Sequence, residues 1–301
     1  MAFRISNCRI RSPPPKRNLR ELVFTLTEKF LLHPAKYQKT GIKIYFINMD
    51  KDIERRKKTE DDFSLIGDDI KRVQGINGAN IHYEQLKSTN KSTTAKKNPI
   101  KGNIDGVYFK TDYRMSGREI GCCLSHIKAI TTAYTDGCDV ALICEDDVEV
   151  YPFKFSKGLE YIVENGPKDW ELLQLFTGNV NIISKITNGV QYHKYEQSNW
   201  GAIAYVINRR GMEKLLNTLG QPYYISKKGQ YPLSGVADIW IPSMLNSYTV
   251  TPFLFCPNTD ISSTIHNDHV ESVHIPSQYE FLKKLDSLKV TVLCPIQSKI
   301  L

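Results

Sequence analysis

Apolar residues along this chain gather in short continuous runs separated by stretches of helical periodicity. Ile42-Lys43-Ile44-Tyr45-Phe46-Ile47-Asn48 is rich in β-branched and aromatic residues and runs into the charged stretch Met49 to Lys58, which predicts a strand, a polar turn and the start of a helix. The alternation returns further on. Ile120, Cys123, Leu124, Ile127 and Ile130 recur at helical spacing within Glu119 to Tyr134, Asp136-Gly137 ends that helix, and Val140 to Cys144 is a continuous apolar run. Trp170 to Phe176 and Gly201 to Ile207 read as further strands, Arg209 to Leu216 as a helix, and Thr249 to Phe255 as a strand despite Pro252. Continuous apolar runs suit strands covered on both faces. Strands and helices in alternation predict an α/β fold with a mostly parallel central sheet, in which ligands bind beyond the carboxyl ends of the strands.

The flanks read differently. Arg4, Arg9, Arg11, Lys16 and Arg17 surround Pro13-Pro14-Pro15 in a basic tail with no secretory signal pattern. Leu19, Leu22, Val23, Leu26 and Phe30 then follow at helical spacing, a short amphipathic helix that either packs on the core or, with its basic flank, touches a membrane surface. Lys87 to Asn103 and Asn217 to Ser234 read as polar loops. No apolar run approaches the ~20 residues of a membrane helix.

Composition narrows the picture only where it departs from the ordinary. A net charge of +8 over 301 residues favours anionic partners such as nucleotide diphosphates or anionic lipid. The basic residues form no nucleic-acid-binding motif, so no nucleic-acid partner is expected. Seven scattered cysteines, including the adjacent pair Cys122-Cys123 and no C-x-x-C, argue against a zinc ribbon or disulfide framework and point to a reducing, cytoplasmic setting.

The segment with the most chemistry is Val140-Ala141-Leu142-Ile143-Cys144-Glu145-Asp146-Asp147-Val148, where an apolar strand delivers consecutive carboxylates to its carboxyl end. Adjacent, partly buried carboxylates repel unless a cation, hydrogen bonds or water compensates. Side chains alternate along a strand, so continued extension would send Glu145 and Asp147 to one side and Asp146 to the other. Oxygen ligands of this kind suit Mg²⁺ or Mn²⁺ with open positions for phosphate oxygens. The competing reading is a solvated acidic turn, or the N-terminus of a helix over Tyr151 to Val163. His266, in Ser262 to His269, is a candidate for closing a metal site from the C-terminal side, against the alternative of a plain surface histidine.

In order and spacing, Ile47-Asn48-Met49-Asp50 with Arg55-Arg56, then Gly117-Arg118-Glu119-Ile120-Gly121-Cys122-Cys123-Leu124-Ser125-His126, then Leu142 to Val148, resemble glycosyltransferase family 25. Trp200 to Gly211 and Val236-Ala237-Asp238 continue the similarity. The resemblance implies a GT-A-like, Rossmann-like nucleotide-sugar-binding fold over residues 42–270, flanked by the tail and helix of residues 1–41 and a C-terminal helix and tail over 271–301. It further implies a UDP-sugar donor, divalent-metal dependence, inversion at the anomeric carbon, and a glycan or hydroxylysine acceptor. The family includes lipooligosaccharide transferases and collagen hydroxylysine galactosyltransferases.

Carried onto this chain, the pattern puts Asn48, Asp50, Arg55 and Arg56 near the donor nucleotide, with Glu119, Ser125 and His126 beside it. Glu145 and Asp147 become metal ligands, and Asp146 a donor contact. Inverting displacement needs a base for the acceptor hydroxyl. Asp238 is the candidate, against the alternative that it caps a helix over Ile239 to Leu245. Trp200 and Tyr205 are candidates for stacking on a ring, or for the core. Two other classes compete: a metal-dependent phosphohydrolase using the same carboxylates, and a non-catalytic nucleotide-sugar-binding module.

Overall fold

The apolar runs form the inner strands of a seven-stranded sheet in a computed structural model, which describes residues 19–23, 25–26, 39–83, 100–104, 107–111, 115–150, 158–219, 231–233, 235–259 and 270–288. In chain order its first elements are α1 (residues 19–23), β1 (Lys43–Asn48), α2 (Ile53–Ser64), β2 (Ile70–Gln74), β3 (Ile81–Tyr83), β4 (Ile100–Ile104), β5 (Val107–Thr111) and α3 (Gly117–Thr135). Next come β6 (Val140–Glu145), β7 (Val148–Val150), α4 (Gly158–Glu164), β8 (Leu172–Gln174), α5 (Val180–Ser184), β9 (Gln191–Lys194), β10 (Ala204–Asn208) and α6 (Arg209–Thr218). The last are β11 (Tyr231–Leu233), α7 (Ala237–Ser243), β12 (Ser247–Thr251), β13 (Phe255–Pro257) and α8 (Ile275–Ser287).

The main sheet has the order β2-β1-β6-β10-β8-β12-β9. β2, β1, β6, β8 and β12 run one way; β10 and β9 run the other, β10 pairing antiparallel with both β6 and β8. The fold is therefore α/β and Rossmann-like, with a mostly parallel sheet. The reversal at β10 brings the amino end of that strand beside the carboxyl ends of its neighbours.

Burial alternates along the inner strands, as a pleat requires. Ile44, Phe46, Leu142, Cys144, Ala204 and Val206 enter one core; Tyr45, Ala141, Ile143, Tyr205 and Ile207 enter the other. Covering on both faces is the reason these strands read as unbroken apolar runs. The first core also takes Phe63 of α2, edge-on to Phe46 at 6.2 Å between ring centroids, and Phe281 of α8, 4.9 Å from Phe253. α8 thus shares this core, together with Val23 of α1, and Arg20 in α1 is ion-paired to Glu271 at 2.6 Å. The amphipathic stripe of α1 faces the core through Val23, while Leu22 stays exposed. No described helix is long and apolar enough to cross a membrane.

Several sequence expectations change. The strand expected over Thr249 to Phe255 is two: β12 stops at Thr251, because Pro252 has no N–H to continue the ladder, and β13 pairs instead with β7. The edge strands β2 and β9 are too polar to show as apolar runs. The polar segment Lys87 to Asn103 ends inside β4, part of a small sheet of order β11-β5-β4-β3. There Gly102 admits the Phe109 ring, which would stand 2.5 Å from a Cβ at that position. Cys122, Cys123, Cys138, Cys144 and Cys256 are all free thiols. Cys8 and Cys294, the proline-rich tail and most of Asn217 to Ser234 lie outside the described residues.

Candidate active site

A cleft of about 460 Å³ opens where the carboxyl ends of β1 and β6 meet the segment leading into β10. Its walls come from four places: Ile47 to Met49, Lys51, Asp52 and Arg55 at and beyond the end of β1, Gly75 to Ala79 after β2, one face of α3, and Trp200, Gly201 and Ile203 with Val236 to Ile239. The acidic turn Glu145-Asp146-Asp147 lies within it.

Strand geometry ends at Glu145, and Asp146 and Asp147 form a turn before β7. The side-to-side alternation expected for the three carboxylates does not hold for that reason. Asp146 and Asp147 instead share the Arg55 guanidinium, at 2.6 and 3.3 Å. The second oxygen of Asp146 accepts the Asn48 amide at 2.6 Å, and Asn48 Oδ1 in turn accepts Arg72 Nε at 2.9 Å. Both oxygens of Asp146 are thus occupied, which suits it to fixing Arg55 and Asn48. Burial pushes the Asp146 carboxyl up to about 7, with Arg55 opposing. Glu145 turns away from Arg55 to His126, Oε1 to Nε2 3.2 Å. Burial, then the charge of Asp147, raise Glu145 to about 8, while burial lowers His126 to about 4. Both shifts favour an uncharged Glu145–His126 pair at neutral pH.

The motif on α3 has a mechanical explanation. Gly117, Gly121 and Ser125, four residues apart, form one stripe along the helix. A Cβ on Gly117 would stand 2.4 Å from Gly78 O, and one on Gly121 would stand 2.6 Å from Ile76 O. Ser125 Oγ accepts the Ile76 N–H at 2.8 Å. The stripe thus seats the loop after β2 directly on the helix backbone. Glu119 closes a capping box with Ser116, its Oε2 accepting the Ser116 N–H at 2.6 Å. Glu119 and Ser125 therefore shape the cleft wall by holding backbone. His126 is fully buried, with Nδ1 3.1 Å from the Tyr205 hydroxyl; Tyr205 is core, not a stacking surface.

Asp238 lies in the first turn of α7 and lines the cleft. Val236 occupies the N-cap, so Asp238 is not the cap. Burial, then the charge of Glu145, raise its carboxyl to about 6. Trp200 also lines the cleft, its indole against Gly178, where a Cβ would meet the ring at 2.5 Å. The buried Gln174 amide donates to Asn199 O and Gly201 O at 2.6 and 2.7 Å and so fixes the turn that carries Trp200.

Not every expected residue reaches the cleft. Asp50 is exposed, hydrogen-bonded to Arg72 and Gln74, and neither it nor Arg56 is in the lining. His266 lies outside the described residues. His274, eight residues on, lines the cleft from the C-terminal side. Asp52, Cys122 and His274 are lining residues that pattern reading missed, as it missed Arg72 behind Asn48. Cys122 lies inside the motif marked on α3, and Asp52 lies between the marked Asp50 and Arg55.

Within the cleft, two buried carboxylate oxygens, Asp147 Oδ1 and Asp52 Oδ2, have no hydrogen-bond partner. The cleft lining holds Asp52, Glu119, Glu145, Asp146, Asp147 and Asp238 against Lys51, Arg55 and Arg118. An orphaned carboxylate oxygen in such a surplus fits a hard divalent cation. No ion is needed to explain Asp146, which Arg55 and Asn48 already satisfy.

A Rossmann-like sheet with an acidic turn and a half-buried arginine at its carboxyl edge is compatible with a glycosyltransferase. The family model for glycosyltransferase family 25 (LPS biosynthesis protein) matches residues 41–227, and the chain belongs to that family. Among curated proteins it is similar to procollagen galactosyltransferase 2 of Homo sapiens, 22% identical over 227 residues, which cover 71% of this chain and 34% of the relative. It is also similar to a glycosyltransferase 25 family member of Aedes aegypti, 24% identical over 215 residues, covering 68% and 31%. The chain spans about a third of the length of these relatives. Family membership sets the chain among glycosyltransferases rather than phosphohydrolases.

Proposed function

We propose that this glycosyltransferase moves a hexose, galactose or glucose, from a UDP-sugar to a hydroxyl acceptor, with inversion at the anomeric carbon and dependence on Mn²⁺ or Mg²⁺. The acceptor class is a lipopolysaccharide-type glycan or a hydroxylysine side chain; the family description names LPS biosynthesis, and the human relative is named a procollagen galactosyltransferase. The observation that carries the reading is the orphaned Asp147 oxygen beside Glu145, in the same cleft as a backbone wall at Gly75 to Ala79 and the Trp200 ring.

In this reading Glu145 and Asp147 hold the cation, and Asp146 with Arg55 and Asn48 fixes the turn that carries them. A bound divalent cation neutralises charge developing on the departing diphosphate. Lys51 and Arg118, both exposed at the cleft, are suited to phosphate oxygens. Trp200 offers a face to a sugar or base ring. Asp238 takes the proton of the acceptor hydroxyl as its oxygen bonds to the anomeric carbon and the bond to the UDP oxygen breaks. A carboxylate raised to about 6 is ionised at neutral pH and still basic enough for that work.

Product analysis tests this. A panel of UDP-sugars is incubated with truncated glycan or hydroxylysine-peptide acceptors, and the anomeric configuration of any product is read by proton NMR. Transfer of galactose or glucose with inverted configuration is expected. Retained configuration would overturn the single-displacement role of Asp238, and hydrolysis indifferent to every acceptor would overturn transfer.

A further inference from the structure

The floor of the cleft carries softer ligands beside its carboxylates. Cys122 and His126 lie four residues apart on α3, so both project from one side of the helix. Glu145 comes to meet them from the end of β6. The Cys122 sulfur, a His126 ring nitrogen and a Glu145 oxygen all lie within 4.8 Å of one another. Each of the three residues lines the cleft, and among the described cysteines Cys122 alone does so. Cys123, one residue on, is turned away and donates to Gly235 O at 3.4 Å.

We infer that Cys122 Sγ, His126 Nε2 and the Glu145 carboxylate form a three-ligand site for a thiophilic divalent cation, Zn²⁺, next to the hard-cation position and sharing Glu145 with it. Tetrahedral zinc with bonds of about 2.0–2.3 Å spaces its ligand atoms about 3.3–3.6 Å apart. The His126–Glu145 separation of 3.2 Å is already close to that spacing. Zinc would enter between these two groups, replacing their hydrogen bond with two coordinate bonds. The Tyr205 hydroxyl on Nδ1, at 3.1 Å, is the outer partner that orients a metal-binding imidazole and leaves Nε2 as the ligand nitrogen. A thiolate selects zinc over magnesium or manganese. Three protein ligands leave the fourth position open to water in the cleft. On binding, the Cys122 thiol proton passes to solvent, together with any proton held between His126 and Glu145. Because Glu145 serves both positions, zinc and the hard cation compete for it.

The test uses the full chain, stripped of metal under a reductant and titrated with Co²⁺ as a spectroscopic substitute. One equivalent should produce a thiolate-to-cobalt charge-transfer band in the near ultraviolet, bleached by Zn²⁺. The band should vanish in Cys122→Ser and persist in Cys138→Ser, whose thiol lies outside the cleft lining. Competition with a chromophoric chelator should show zinc affinity falling at least about tenfold in Cys122→Ser. Melting curves establish that each variant is folded, and Cys122→Ala replaces the serine variant if that one is not. No band in the wild type, or an equal band in the Cys122 variant, would overturn the site. The readout does not require turnover. Cobalt binding without sugar transfer would count against the proposed reaction alone, and transfer without the band against this site alone.

Discussion

Glu145 is held in a cleft that disfavours its charge. Its ordinary carboxyl value of 4.5 rises to about 8 in the folded chain, through burial and then Asp147. The folded state therefore binds the proton more tightly than the unfolded state. No penalty exists below about 4.5; it grows between there and about 8 and is fully present above. Glu145→Gln, which mimics the protonated form, should leave stability nearly unchanged at pH 5 and raise it at pH 8.5, by about 2–4 °C in Tm for each kcal/mol relieved. Thermal melts of both proteins at the two pH values check this; an equal effect at both would place the strain elsewhere. Asp238 makes a separate prediction. Asp238→Asn should lower kcat by about 10²–10⁴ while leaving the KM for donor within a few-fold, since its task is the acceptor proton. A donor KM that rises with kcat unchanged would make it a binding residue. The sequence made the carboxylates of the acidic segment and Asp238 readable, because they stand at the ends of legible elements. The partners that set their roles were not readable: Arg72 behind Asn48, and the sharing of Arg55 by Asp146 and Asp147, depend on a turn that strand alternation does not describe.

At the level of elements, α3 organises the cleft. The helix itself was legible from its apolar spacing, and its motif was legible as a string. What the string does follows from Gly117, Gly121 and Ser125 falling on one stripe against the loop after β2. Their spacing in the sequence contains that stripe, but the loop it seats is distant in the chain. Gly121→Ala puts a methyl group 2.6 Å from Ile76 O, a backbone atom with no rotamer through which to yield. It should destabilise by about 1–3 kcal/mol and raise the KM for donor, because Gly75 to Ala79 form a cleft wall. Denaturant melts and donor titration read the two effects; wild-type stability in the variant would mean that the helix and loop separate without cost. Edge strands β2 and β9 escaped pattern reading for a different reason. Each has one neighbour in the sheet and a polar sequence, so neither carries the doubly covered signature of β1, β6 and β10.

For the molecule as a whole, a net charge of +8 conceals an acidic interior cleft. Bulk charge predicts attraction to anionic partners, whereas the cleft itself calls for a cation. The two fit together if cation and donor diphosphate bind as a pair. A ligand that binds only the folded state at about a hundred times its Kd stabilises by about 2.7 kcal/mol. Mn²⁺ with UDP should therefore raise Tm more than the sum of either alone, and Asp147→Ala should abolish the excess; additive shifts would argue against a shared site. The α/β class and its mostly parallel sheet were legible because alternating apolar strands and amphipathic helices leave few other architectures. The packing of α1 on the core was one reading of its apolar stripe; its meeting with the C-terminal segment was not legible, since it rests on contacts such as Arg20 with Glu271 that join the two ends of the described chain. The most direct single measurement is UDP release from a panel of UDP-sugars, with acceptor present, by wild type and Asp147→Ala, with Mn²⁺ or with chelator. Turnover of one donor that requires both the acceptor and the cation, and that falls by at least about a hundredfold in Asp147→Ala, is the expected result. Equal turnover in the variant, or in chelator, would contradict the acidic turn as the seat of the donor.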